Sequence, residues 1–352
     1  MGRVSEYSFI SANLRAKISR ILDAEFLLKC AEAKDLETLL MTFKDTDFAF
    51  LQEVYHKTAD IKTCEKEVLD NEIAYNSYLF KHTKGAVRRF CESLALRYEA
   101  DILKDVLRLW FDRAVRRRNI DGYTPYLHRE PIVHTLPIDP ILNADSPEAV
   151  AELLSSTPYG KVVAPVLREA ADTETLYGVE TAVDAYVFRQ MKESAEKLPP
   201  PDRRIAKEYT GLLIDIENLN RIVRLKHYFQ FDSASIRAQL LPGGRRLPIR
   251  ADFLADGFEE DVGGLVKRVF PDADGGSVGE TTAPHFDRLL FVETISSELK
   301  AKQAQKALGG NPFTVGIVIA FFILKRIEIR RIITLMNAKY YRLEKERIKE
   351  LL

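Results

Sequence analysis

The sequence predicts an all-α protein built from repeated helical units. Apolar residues recur at three- and four-residue spacings along most of the chain. No run of five or more residues alternates cleanly at period two, so sheet is expected to be minor or absent. The 17 glycines and 15 prolines together make up about 9% of the 352 residues, below the roughly 12% of average usage, so few residues interrupt helix.

The first helix is marked by Tyr7, Ile10, Leu14, Ile18 and Ile21. Further helical patterns cover residues 24–33 and 36–43, the latter with Asp35 as N-cap, then 65–83 and 86–118. Residues 119–147 carry Gly122 and five prolines and read as a connector. Helical pattern resumes at 147–156, 161–172, 179–197 and 203–230, with a break at Pro199-Pro200-Pro201. Loose zones at 242–250 and 271–284 precede two last helices, 285–308 and 312–350, the second opening with Pro312 at its first position.

Length gives two or three domains. Lys+Arg and Asp+Glu both number 52, so no net field gathers nucleic acid, and 46% hydrophobic with 30% charged residues is a globular balance. Cys30, Cys64 and Cys91 are odd in number and widely spaced, which argues against a disulfide framework or zinc ribbon and for a reducing compartment. The opening MGRVSEYSF has no apolar stretch of a secretory leader, and Glu6 stands where a myristoylation motif has Ser or Thr. The longest apolar run, 313–324, is too short to span a bilayer.

Three markers repeat at a period near 114. An acidic residue followed by aliphatics at +4 and +7 occurs as Glu99, Leu103, Val106, as Asp215, Leu219, Ile222, and as Glu328, Ile332, Leu335; the acids are 116 and 113 residues apart. A short helix ending in an aromatic occurs at Phe43, Tyr159 and Phe270. Glu72, Glu180 and Glu293 each read as opening a helix with an apolar stripe. The order of the markers predicts three helical domains, 1–120, 121–235 and 236–352.

Signatures of catalysis are missing: no phosphate loop, no G-x-G-x-x-G, no nucleophile elbow and no H-E-x-x-H. The six histidines show no ligand spacing, and the lone Glu53-x-x-His56 is one copy where a di-iron bundle needs two. No catalytic residue, metal, cofactor or small-molecule substrate is therefore expected. Glu99, Asp215 and Glu328 could serve as acid/base groups or as a ring of rotor contacts; the favoured reading pairs each with a nearby arginine to orient neighbouring helices. Arg116, Arg117, Arg118, Arg203, Arg204, Arg245 and Arg246 are helix ends or loops and the candidate partner contacts. Trp110, among Leu107, Leu109 and Phe111, reads as core.

The opening Y-S-F-I-S-A-N-L-R-A-K (7–17), the block Leu213-Ile214-Asp215-Ile216-Glu217-Asn218-Leu219-Asn220-Arg221-Ile222-Val223-Arg224, and the late blocks Asn311-Pro312-Phe313-Thr314-Val315-Gly316 and Lys325-Arg326-Ile327-Glu328-Ile329-Arg330 resemble the C subunit of archaeal and bacterial A/V-type rotary ATPases, the family that includes the d subunit of the eukaryotic vacuolar enzyme. The similarity covers essentially the whole chain. Arg331 and Ile333 depart from the family pattern, and the loop 271–284 is unusually rich in Gly and Asp.

The resemblance implies three pseudo-three-fold related helical domains forming a funnel-shaped molecule. It implies a non-catalytic central-stalk component, peripheral on the cytoplasmic face of the membrane. Its partners would be the D and F shaft subunits and the proteolipid ring (c/K), and it would transmit torque for proton or sodium transport or ATP synthesis. The competing reading is a free-standing α-helical repeat scaffold that binds a soluble partner.

Overall fold

The computed structural model describes residues 3–247, 262–271, 273 and 285–351. Among these residues the regular elements are helices and there is no strand, as the periodicity predicts. In order they are α1 (Arg3–Ile18), α2 (Ala24–Ala31), α3 (Leu36–Thr42), α4 (Phe50–Thr58), α5 (Ile61–His82), α6 (Gly85–Ala114), α7 (Ile138–Asn143), α8 (Pro147–Leu154), α9 (Gly160–Asp172), α10 (Tyr177–Glu196), α11 (Pro200–His227), α12 (Ser233–Ala238), α13 (Val262–Val269), α14 (His285–Leu308), α15 (Gly316–Tyr340) and α16 (Lys345–Leu351). Side-chain caps start several of them. The carboxylates of Asp23, Asp35 and Asp60 accept backbone N–H groups in the first turns of α2, α3 and α5, and the Ser146 hydroxyl does so for α8 ahead of Pro147.

One helix goes unmarked by the sequence pattern, and three local expectations need correction. Residues 50–58 form α4, which starts at Ala49 without a side-chain cap and ends on Ala59 in the left-handed region, φ 50°. The connector holds α7, because Pro140 sits in the first turn where its missing N–H costs no intrahelical bond. Pro312 does not begin a helix. Asn311 Oδ1 accepts the Phe313 N–H, Thr314 Oγ1 accepts that of Gly316, and buried Asp202 accepts that of Val315, so side chains claim these amides and α15 starts at Gly316. Finally, 312–350 is not one helix: Arg342, at φ 57°, ends α15 and separates it from α16. The zone 271–284 lies almost wholly outside the described residues.

The chain divides into two compact units. The first joins Met1–Gln190 to Leu324–Leu352, so the chain's last helices belong with its first. One apolar core there draws Leu27, Leu36, Leu39, Phe43, Leu51, Ile61 and Val68 from α2 to α5, and Ile329, Ile332, Leu335, Met336 and Ile348 from α15 and α16. The small helices α2, α3 and α4 are too short to bury an apolar face alone, and the C-terminal helices close their core. The second unit, Met191–Ile323, is organised by α11 packed along α14. All three cysteines are free and buried; burial pushes the thiols of Cys64 and Cys91 up to about 11 and about 12.

Candidate functional site

The acids of the first repeated marker are almost fully buried: Glu99 is 1% exposed, Asp215 1% and Glu328 2%. Each sits on a long helix, α6, α11 or α15, among apolar residues at +4 and +7 that are themselves in the core. A carboxylate in such a position needs hydrogen bonds to offset its lost hydration. The partners are mainly backbone amides of a distant loop. Glu99 Oε2 accepts the N–H groups of Val133 (2.8 Å) and His134 (2.6 Å), and its Oε1 lies 2.7 Å from His134 Nδ1. Asp215 accepts those of Arg245, Arg246 and Leu247 at 3.0, 3.0 and 3.1 Å. Glu328 accepts that of Leu22 at 2.8 Å and the Lys325 ammonium at 2.8 Å. Burial pushes the carboxyls of Asp215 and Glu328 above the ordinary range, against the pull of their donors.

The acids are held chiefly by amide capture, with Lys325 added at Glu328 and the Arg246 charge acting on Asp215. Sequence spacing located the acids but carried no trace of their backbone-amide partners, which lie 30 or more residues away.

The second marker belongs to the same junctions. Phe43, Tyr159 and Phe270 are all 0% exposed. His134, anchored by Glu99, meets the Tyr159 ring edge-on at 6.1 Å. Arg246, anchored by Asp215, lies 5.5 Å above Phe270. Lys325, paired with Glu328, lies 4.7 Å above Phe48, whose ring is 6.1 Å from Phe43. Each junction therefore combines a buried acid, a loop held by its amides, and a nitrogen-bearing side chain on a buried aromatic.

The same three helices also hold the short helices near their C-terminal ends. Trp110 Nε1 donates to Ala144 O (2.9 Å), and Arg113 Nε to Leu142 O (2.6 Å). Asn218 exchanges hydrogen bonds with the Leu241 backbone, and Arg221 donates to Gln239 O. Lys339 donates to Ala31 O (2.6 Å). Trp110 is core, as its neighbours imply, and its indole N–H clasps the next loop.

Ion pairs join each long helix to a further helix of its own unit. Lys104 and Arg108 on α6 reach Asp184 (2.9 Å) and Glu180 (2.6 Å) on α10. Glu208 on α11 accepts Lys306 of α14 at 2.8 Å. Arg326 on α15 donates to Glu72 of α5 at 2.9 Å, where the Tyr98 hydroxyl also donates at 2.6 Å. Glu72 and Glu180, from the third marker, are thus receptors for arginines. Only Glu180 lies in a first turn; Glu72 and Glu293 are inside their helices.

Four of the remaining arginines, Arg116, Arg118, Arg203 and Arg204, have local partners. Arg116 donates to Asp112 and to Glu174 O, and lies 5.0 Å over Phe111. Arg117 is the positive-φ residue after α6, and Arg118 donates to Asp112. Arg203 donates to Leu198 O, and Arg204 to Glu208. Arg245 is exposed and Arg246 half-buried. Glu53 pairs with Lys57, and among the described residues no group of three or more His, Cys, Asp or Glu side chains could hold a metal ion.

What repeats among the described residues is a way of joining helical elements through buried polar clasps, the mark of an all-helical repeat protein. The chain belongs to the family described as ATP synthase (C/AC39) subunit, whose model matches residues 10–351. It is 22% identical to the C subunit of the A-type ATP synthase of Methanocaldococcus jannaschii, over 99% of this chain and 86% of that one. With the protein of the same description from Methanothermobacter thermautotrophicus it shares 24% identity, covering 95% and 84%, and with that from Pyrococcus furiosus 22%, covering 99% and 90%. Among the described residues no helix is long and apolar enough to cross a membrane.

Proposed function

We propose that this chain is the non-catalytic central-stalk adaptor of a rotary A/V-type ATPase. It receives the D/F shaft, sits on the proteolipid ring at the cytoplasmic face of the membrane, and carries torque between them. Three domains, 1–120, 121–235 and 236–352, would supply equivalent walls for the shaft socket. The observation that carries this reading is the clasp from Glu328 to Leu22, which uses the same design as those from Glu99 and Asp215. A torque-bearing part must not fray at its termini, and a chain whose last long helix grips its first loop meets that demand. Family membership supports the same reading.

In this reading Arg116, Arg118 and Arg204, whose side chains are 38%, 63% and 68% exposed, are partner contacts suited to reversible, electrostatically guided assembly. The test is capture of the tagged chain from detergent-solubilised membranes. Recovery of a proteolipid with D- and F-type subunits, reduced by charge reversal at the three arginines, is expected. Recovery of soluble partners alone would overturn the adaptor and favour a free-standing scaffold.

A further inference from the structure

Gly211 lies in the interior of α11, where glycine is the least favoured residue after proline. The clasp at Asp215 does not require it. Four residues before the buried acid the other two clasps have Ala95 and Leu324, and the first captures the Val133 amide where this one captures that of Arg245. A clasp of this design therefore accepts a Cβ on the helix and needs no cation on the loop. What the glycine accommodates is the Arg245 stem. A Cβ at position 211 would stand 2.5 Å from Arg245 Cγ and 3.0 Å from its Cδ, so glycine lets that stem lie flat on the helix.

The backbone under Arg245 is fixed as well. Arg221, Asn218 and Asp215 of α11 hold the loop from Gln239 to Leu247, and Asp215 accepts the Arg245 N–H at 3.0 Å. Beyond its anchored stem Arg245 is exposed, and its guanidinium makes no hydrogen bond or ion pair among the described residues. Glu208, one turn before Gly211, feels the Arg245 charge, but its oxygens are taken by Lys306 at 2.8 Å and Arg204 at 3.1 Å. Arg116, Arg118 and Arg204 differ in this respect, because each already pairs with a carboxylate of the chain. A guanidinium fixed at stem and backbone has little freedom left to lose on binding, and its planar fork matches a carboxylate bidentately.

We propose that Arg245 is a preorganised contact for an acidic side chain of a neighbouring protein subunit, and that Gly211 is its positioning residue. Resting on the adaptor reading, this names the chemistry that one partner contact recognises. Arg245 gains an ion pair on assembly without giving one up, which sets it apart from the other exposed arginines.

The test captures the tagged full chain from detergent-solubilised membranes at rising salt, comparing the parent with Arg245→Ala, Arg245→Lys, Gly211→Ala and the Gly211→Ala/Arg245→Ala double variant. Retention of partner subunits should fall about tenfold in Arg245→Ala, as for an arginine at a binding hot spot. Gly211→Ala should lose a similar factor while its unfolding temperature stays at or above the parent's. The double variant should lose no more than Arg245→Ala, because the glycine acts through that arginine. A carbodiimide, which joins amines to carboxylates, should cross-link position 245 of the Arg245→Lys variant to an Asp or Glu of a partner subunit. Cross-links to Glu208 alone, or retention unchanged in a folded Arg245→Ala variant, overturn the proposal and leave the adaptor reading intact. Full retention in Gly211→Ala overturns the positioning role. Failure of the parent to retain any ATPase subunit overturns the adaptor reading, and this contact with it.

Discussion

Glu328 and Leu22 stand 306 positions apart, and the Glu328 carboxylate accepts the Leu22 N–H at 2.8 Å. This bond and the Lys325 pair are the Glu328 equivalent of the clasps at Glu99 and Asp215. Removing it leaves a half-buried amide without its acceptor, a loss of about 1–3 kcal/mol. Glu328→Leu should therefore destabilise the chain by roughly 2–4 kcal/mol once the stranded Lys325 ammonium is included. Glu328→Gln keeps an acceptor for Leu22 and should cost less. Urea unfolding of the two variants checks the order; equal stabilities would show that the clasp contributes nothing.

The C-terminal helices are required by the first small helices. Leu335 and Leu39 are both 0% exposed in one core, although they come from opposite ends of the sequence. Leu335→Ala should cost about 2–5 kcal/mol, as a buried leucine truncation does, and should match Leu39→Ala within that spread. Limited proteolysis gives a local readout. Cleavage within residues 24–58 should speed up in Leu335→Ala, and unchanged protection there would separate the two ends of the chain.

The repeated acids show where sequence reading succeeds and where it stops. Glu99, Asp215 and Glu328 are legible because an ionisable residue inside an apolar stripe must have a structural reason, and three in the same register imply one reason used three times. Their partners are illegible because backbone amides leave no side-chain signature. Helix boundaries failed for a related cause. Arg342 and Ala59 occupy left-handed geometry that ordinarily calls for glycine or asparagine, so neither the end of α15 nor that of α4 is marked. The third marker was positioned by pattern alone, and Glu72 is inside α5, facing Arg326 of a helix 254 residues away. Gly211 was the overlooked signal: a glycine inside a 28-residue helix asks what lies against it.

Helix terminators offer a direct stability test. Arg117 (φ 56°), Gln230 (φ 54°) and Arg342 (φ 57°) follow the three long helices, each in the left-handed region. The next amide turns back into the last turn, from Arg118 to Asp112 O, Phe231 to Leu225 O and Leu343 to Ala338 O. A side chain in this conformation costs about 1–2 kcal/mol, and glycine relieves it while adding unfolded-state entropy. Arg342→Gly and Gln230→Gly should be neutral or stabilising by up to about 1 kcal/mol, and Arg342→Val should destabilise. Thermal unfolding decides this, and a glycine variant that melts well below the parent would contradict the terminator assignment.

The connector between α6 and α7 is tied down by His128, whose Nδ1 is 2.6 Å from Asp70 Oδ1, with Lys66 on the same carboxylate. Burial alone would raise the Asp70 carboxyl, but His128 and Lys66 overcome it and hold the group below the ordinary carboxylate range. A carboxyl whose folded value is depressed contributes stability above its unfolded value, near 3.8, and loses it as pH falls through the folded one. Asp70→Asn removes that contribution. The parent should exceed the variant in stability at pH 6, and the gap should shrink as pH falls below about 4, where the unfolded-state carboxyl also takes up its proton. Urea unfolding at pH 6 and near pH 3 reads this difference. A gap that stays constant or widens at acid pH would mean that Asp70 is not the charged anchor of the connector.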